Sequence, residues 1–141
     1  MKNLNRLYWL KQEIKQIENQ IKELTVLSAT AMSGMPSGKK VSSPVERFVL
    51  RMERLKEKLA QKYEELSAET ERIEEYIEGI EDAEVRLIAR KRFIEHKDFQ
   101  TIGDEMYIDR TTAAKKLKRY LEREKNEKTF NSNQKNDGSR G

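Results

Sequence analysis

Seven basic residues (Arg110, Lys115, Lys116, Lys118, Arg119, Arg123, Lys125) and two acidic ones (Glu122, Glu124) lie between positions 110 and 125, a local charge of +5 against +4 for the whole chain. Such a concentration is what contact with a phosphate backbone requires, because every phosphate neutralised by a cation releases condensed counterions. The plainer explanation is a solvated helix end whose cations suit the negative pole of the helix dipole. The neighbouring residues favour the first explanation, since they add chemistry that reads bases. Arg110, Thr111 and Thr112 occupy a first helical turn, and Ala114, Lys115 and Lys118 recur on the same exposed side. Arginine suits a bidentate contact with guanine, and threonine a short hydrogen bond or contact with a thymine methyl. Lys115, Lys118 and Arg119 suit phosphate. The expected partner is double-stranded DNA.

For these residues to enter a major groove, their helix must be braced by another. The stretch FQTIGDEMYIDRTTAAKKLKRYL, from Phe99 to Leu121, supplies the pattern. Ile102 and Met106 sit four apart on a short helix, Ile108 follows a break, and Ala113 and Leu117 sit four apart on a second helix. Two short helices close a core at a steep angle only where small residues let the backbones approach, and Gly103 and Ala113 are small. Asp109 is placed to cap the second helix. The arrangement predicted is a helix-turn-helix whose second helix is the recognition helix. A preceding helix, roughly 83–95, carries Val85, Ile88, Ala89 and Phe93 with Leu87 and Ile94 at its flanks, and Asp82 is its predicted N-cap. The compact module is therefore expected over 82–123.

The rest of the chain reads as long amphipathic helices. Charged residues make up 38% of the sequence and hydrophobic residues 35%, which is too polar for a compact sphere but ordinary for helices that each bury one stripe. Leu7, Leu10, Ile14, Ile17, Ile21 and Leu24 follow a heptad, and a second heptad runs Val45, Phe48, Met52, Leu55, Leu59, Lys62, Leu66, Glu69, Ile73, Tyr76, Ile80. The first helix is expected to fail near Ser28 to Thr30. The second, on the order of 50 Å long at 1.5 Å per residue, starts from a capping box of Ser43, Pro44 and Glu46. The fold class predicted is all-α: an antiparallel hairpin of coiled-coil-like helices over 1–81, with a linker at 29–44, followed by the small helix-turn-helix bundle. Polar Lys62 and Glu69 are taken to mark where the first helix stops covering the second. A homodimer through the same seams competes with the hairpin or coexists with it. Tyr8 and Trp9 are expected to pack at the seam edge, and 124–141 to form a frayed helix end and a disordered tail.

Several classes of chemistry find no support in the residues. The chain has no cysteine, which removes disulfides and thiolate chemistry together. Gly34, Gly38 and Lys39 imitate a phosphate loop, but the glycines are one residue too close, Lys40 follows where Ser or Thr is needed, and no strand precedes them. The single histidine, His96, has no second histidine to share a metal and is expected to be an exposed loop residue. No catalytic residue, metal or cofactor is predicted. The opening MKNLNRLYWLKQEIKQ lacks the apolar core of a signal peptide, and no apolar run approaches the ~20 residues of a membrane span, so no membrane contact and a cytoplasmic location are expected.

The run VRLIARKRFIEHKDFQTIGDEMYIDRTTAAKKLKRYL resembles region 4 of sigma-70-type factors as reused in short regulators of Gram-positive phages and prophages. The resemblance lies in an arginine-aromatic pair (Arg92, Phe93), a short turn, a helix carrying Ile102 and Gly103, an apolar residue before a polar cap (Ile108, Asp109), and the basic helix from Arg110 to Leu121. MSGMPSGKKVSSPVE is similar to the linker of such phage proteins. ArpU- and RinA-type late transcriptional regulators share this layout, which implies activation of late phage genes in a bacterial host, with contact to host RNA polymerase. A small terminase subunit that recognises packaging sites is the rival class, and a sigma-like adaptor that binds polymerase more than DNA is a third. Two positions depart from the family pattern: Gly103 stands where alanine is usual, and Tyr107 stands where the turn usually has glycine. Tyrosine does not take positive φ cheaply, so a distorted turn is expected there.

Overall fold

The computed structural model describes residues 4–33 and 42–137, and its regular structure is helical throughout, with no strand among the described residues. Helix α1 spans Arg6–Ser33 and α2 spans Ser42–Glu78. Helix α3 spans Ala83–Ala89 and widens into a π turn over Arg90–Ile94; α4 is Phe99–Met106 and α5 is Arg110–Asp137. No helix among the described residues is long and apolar enough to cross a membrane. The chain divides into two compact units, Met1–Arg72 and Ile73–Gly141.

In the first unit, α1 and the part of α2 up to Arg72 run antiparallel. Glu13 accepts the Lys62 ammonium at 3.1 Å, Glu18 accepts the Tyr63 hydroxyl, and Arg6 lies 3.8 Å from Glu69. These partners flank the stripe Leu7, Leu10, Ile14, Ile17 on both sides, so the stripe faces α2. All four residues are buried, as is Leu4. Each such side chain contributes roughly 1.5–3 kcal/mol by leaving water.

The polar seam positions do not mark the end of this pairing. Lys62 and Glu69 lie within it, each matched to a charge on α1, and Glu69 is only 6% exposed. Burial weakens toward the opposite end: Ile21, Leu24, Val45, Phe48, Met52, Leu55 and Leu59 are half-buried, and Val26, Leu27, Val49 and Leu50 are exposed. The expectation that the apolar half of α2 would be the covered half is thus reversed. A cross-helix ion pair suits a seam position as well as an apolar contact does, provided the partner is in register.

Helix α1 also runs past its expected end. Ala29, Ala31 and Met32 are good helix formers, and no glycine or proline, the residues that cost a helix most, occurs before Gly34. The Thr25 and Thr30 hydroxyls donate to the carbonyls of Ile21 and Val26, 2.8 and 3.0 Å away, which satisfies them without leaving the helix. Residues 34–41 of the predicted linker, Gly34, Gly38 and Lys39 among them, and the side chain of the predicted cap Ser43 lie outside the described residues. Trp9 does not pack at the seam edge. It is 61% exposed and meets Tyr8 edge-to-face, with ring centroids 5.1 Å apart.

The second unit starts inside α2 rather than at Asp82, because Ile73, Ile77 and Ile80 are fully buried and belong to its core. Val85, Ile88, Ala89, Phe93, Ile102, Ala113 and Leu117 complete that core. Ile77 takes the place that the heptad gave to Tyr76. Tyr76 is half-buried instead, and its hydroxyl donates to Glu124 on α5; burial first, and that hydrogen bond second, push the phenol well above its ordinary range. Asp82 caps α3 as predicted, its carboxylate accepting from the backbone N–H groups of Glu84 and Val85 at 2.9 and 3.3 Å. The polar segment after Leu121 continues α5 to Asp137. It contains no Gly or Pro before Gly138, and extending a formed helix is far easier than nucleating one. The Lys128 to Glu124 ion pair at 3.2 Å adds i,i+4 support.

Candidate nucleic-acid interface

The segment from Asp98 to Arg119 is assembled from its caps inward. Asp98 opens α4: its carboxylate accepts from Thr101 N–H at 2.8 Å, and that backbone hydrogen bond holds the carboxyl below its ordinary range. Before it, the chain turns at His96, which is half-buried and has φ of 58°, not the exposed loop residue expected. Histidine is among the side chains that tolerate this left-handed region best. The turn is tied down on both sides, with Lys97 N–H donating to the Lys91 carbonyl at 3.0 Å and Arg92 Nη1 donating to the Lys97 carbonyl at 3.1 Å. Arg92 also lies over the Phe99 ring, 4.8 Å from its centroid, and so joins the end of the π turn to the start of α4.

Helix α4 ends at Tyr107, whose backbone takes the left-handed conformation, φ 58° and ψ 39°. The Tyr107 and Ile108 N–H groups both donate to the Gly103 carbonyl, the latter at 2.9 Å, a Schellman-type closure. Gly103 permits this. A Cβ built there would stand 2.7 Å from the Ile108 carbonyl oxygen and 3.1 Å from the Arg110 nitrogen, so even alanine collides with backbone. The turn is therefore not distorted: it is closed tightly, with the strain carried at Tyr107.

Asp109 precedes α5. Its carbonyl accepts Ala113 N–H at 3.0 Å, and its carboxylate accepts the Thr111 hydroxyl at 2.9 Å. Because that donor is engaged, Thr111 presents its oxygen outward as an acceptor. Ala113 and Leu117 are buried under α4, which fixes the rotation of α5 about its axis.

With that rotation set, Arg110, Thr111, Thr112, Lys115, Lys118 and Arg119 are all exposed. At about 100° per residue, Thr111, Thr112, Lys115, Lys118 and Arg119 share an arc of roughly 120° opposite the buried stripe. Arg110 stands at the N-terminal tip. Ala114 departs from the expected set: it is half-buried, at the edge of the packed stripe. The first three turns of the helix carry this face, because Glu122 returns negative charge one turn beyond Lys118.

The distribution of ion pairs separates structural cations from available ones. Glu105 accepts both Lys91 and Lys97 at 2.6 Å, and these two hydrogen bonds, Lys91 first, hold its carboxyl below the ordinary range. Lys116 is bound to Glu84 at 2.6 Å. By contrast, Arg110, Lys115, Lys118 and Arg119 make no ion pair among the described residues, and neither do Arg123 and Lys125 further along α5. Charge counting along the sequence could not tell Lys116 from Lys115; the helical rotation does. Tyr107, 95% exposed in the turn three residues before Arg110, reads in the sequence only as a turn residue. Among the described residues no group of three or more acidic or histidine side chains is arranged to hold a metal ion. No family model, curated protein or solved structure matches the chain.

Proposed function

We propose that this chain is a phage-derived DNA-binding transcriptional regulator, built as an antiparallel hairpin of long helices followed by a helix-turn-helix module. In this reading α5 enters the major groove N-terminus first. Arg110 contacts a guanine, Thr111 and Thr112 contact neighbouring base edges, and Lys115, Lys118 and Arg119 hold phosphates on the groove wall. The reading rests above all on one observation: Lys115, Lys118 and Arg119, none of them in an ion pair among the described residues, share with Thr111 and Thr112 the exposed side of a helix whose opposite side is locked by Ala113 and Leu117, with Arg110 at its N-terminal tip. The chain acts without catalysis or a cofactor, in the cytoplasm of a bacterial host, as a homodimer through its long helices, and it touches host RNA polymerase from the same complex.

The test is to crosslink the chain to DNA in cells and sequence what co-purifies. Enrichment at promoters supports the regulator. Enrichment at a single packaging locus, with the chain in a ring of many subunits, would replace it with a small terminase subunit. Polymerase without DNA would leave an adaptor.

A further inference from the structure

Tyr107 combines two properties that the fold does not require together. Its backbone lies in the left-handed region, which disfavours side chains other than glycine, and its ring is 95% exposed. His96 shares the backbone conformation, yet it is half-buried and its turn is held by Arg92. For Tyr107 no hydrogen bond or ring contact of the phenol is found among the described residues, so the fold gains nothing visible from the side chain. Glycine would close the same turn without strain. A strained residue that presents a fully solvated aromatic ring points to a contact made outside the folded chain.

The location selects the contact. Tyr107 stands three residues before Arg110, where the first helix of the motif, which crosses the DNA backbone, passes into the helix that enters the groove. We infer that Tyr107 is a DNA-backbone contact: its phenol donates to a phosphate oxygen at the rim of the major groove, and its ring lies along the adjoining deoxyribose. This rests on the DNA-binding reading above. The contact carries no charge and reads no base, so it adds affinity equally on every sequence and orients the N-terminal end of α5.

The experiment uses the full chain and fluorescently labelled mixed-sequence DNA duplexes, titrated at several salt concentrations, with thermal unfolding recorded for each variant. Tyr107→Phe keeps the ring and removes the donor. It is expected to bind about tenfold more weakly on every duplex, with the salt dependence unchanged because no cation is lost. Tyr107→Gly is expected to unfold at a higher temperature and to bind at least as weakly as the phenylalanine variant. If both variants bind as the wild type does, or if the glycine variant unfolds at a lower temperature, the inference is overturned while the DNA-binding reading stands. If the wild-type chain binds no duplex, the DNA-binding reading fails and the inference falls with it.

Discussion

Gly103 and Tyr107 share one turn, and the turn sets the aim of every residue after it. A methyl group at position 103 would meet the Ile108 carbonyl oxygen at 2.7 Å, backbone that cannot swing aside. Gly103→Ala should therefore lower stability by about 1–3 kcal/mol, the usual range for forced overpacking. Urea unfolding measures this, and an unchanged midpoint would mean the close approach is not needed. On the exposed face the residues divide by role. Arg110→Ala should relax preference at one base pair and leave other positions alone, whereas Lys118→Ala should weaken all sequences alike and reduce the salt slope by about 1. Selection from a randomised duplex pool, compared between the two variants, separates them; indistinguishable profiles would contradict the assignment. The basic residues themselves were legible in the sequence, because charge is carried by residue type. Which cations remain available was not, since the Lys116 to Glu84 pair joins positions 32 apart and depends on how α3 and α5 meet. The left-handed backbone at Tyr107 was not legible either, because residue type argues against it.

At the scale of elements, the heptad of α1 and most of that of α2 could be read directly, as could the cap at Asp82, while at Tyr76 the buried position falls one residue later, on Ile77. The helix ends could not. The polarity of the segment after Leu121 points to a frayed helix end and a disordered tail, yet polarity decides whether a helix buries a face, while propensity and the absence of breakers decide whether an existing helix continues, here to Asp137; residues 138–141 lie outside the described residues. The polar seam positions mislead for a related reason: a charge in a heptad reads as a fault until its partner on the facing helix is known. Glu69 makes the point energetically. The Arg72 hydrogen bond, with Arg6 nearby, holds its carboxyl below the ordinary range despite burial. With a folded-state value below the unfolded one, the unfolded chain binds the extra proton. Stability is then fully present above the ordinary carboxylate range and is lost as pH falls through the folded value. Glu69→Leu removes that contribution. Arg6 and Arg72 are exposed enough to return to water, so thermal stability near neutral pH should hold or rise, and its decline on acidification should become shallower. Thermal unfolding monitored by circular dichroism at neutral and acidic pH gives the answer. A loss of several degrees at neutral pH would show that the ion pair is a net contributor.

For the whole molecule, the charge is divided unequally: the segment from Arg110 to Lys125 carries +5, and the remainder sums to −1. Association with DNA should therefore run through one face and not through a diffuse basic surface. The size of the electrostatic term follows. Three cations placed on phosphate, Lys115, Lys118 and Arg119, predict that the logarithm of the binding constant falls with the logarithm of salt concentration at a slope of about −3 per chain, and at about twice that for a homodimer on two half-sites. The same measurement thus reports on assembly. The most direct test of the account is this salt titration, carried out with the full chain on duplex DNA and repeated after Lys115, Lys118 and Arg119 are replaced by alanine. The account predicts tight binding at low salt with the stated slope, and a slope reduced by about 3 per chain in the triple variant. No binding at low salt, or a slope unchanged by the three substitutions, would contradict it.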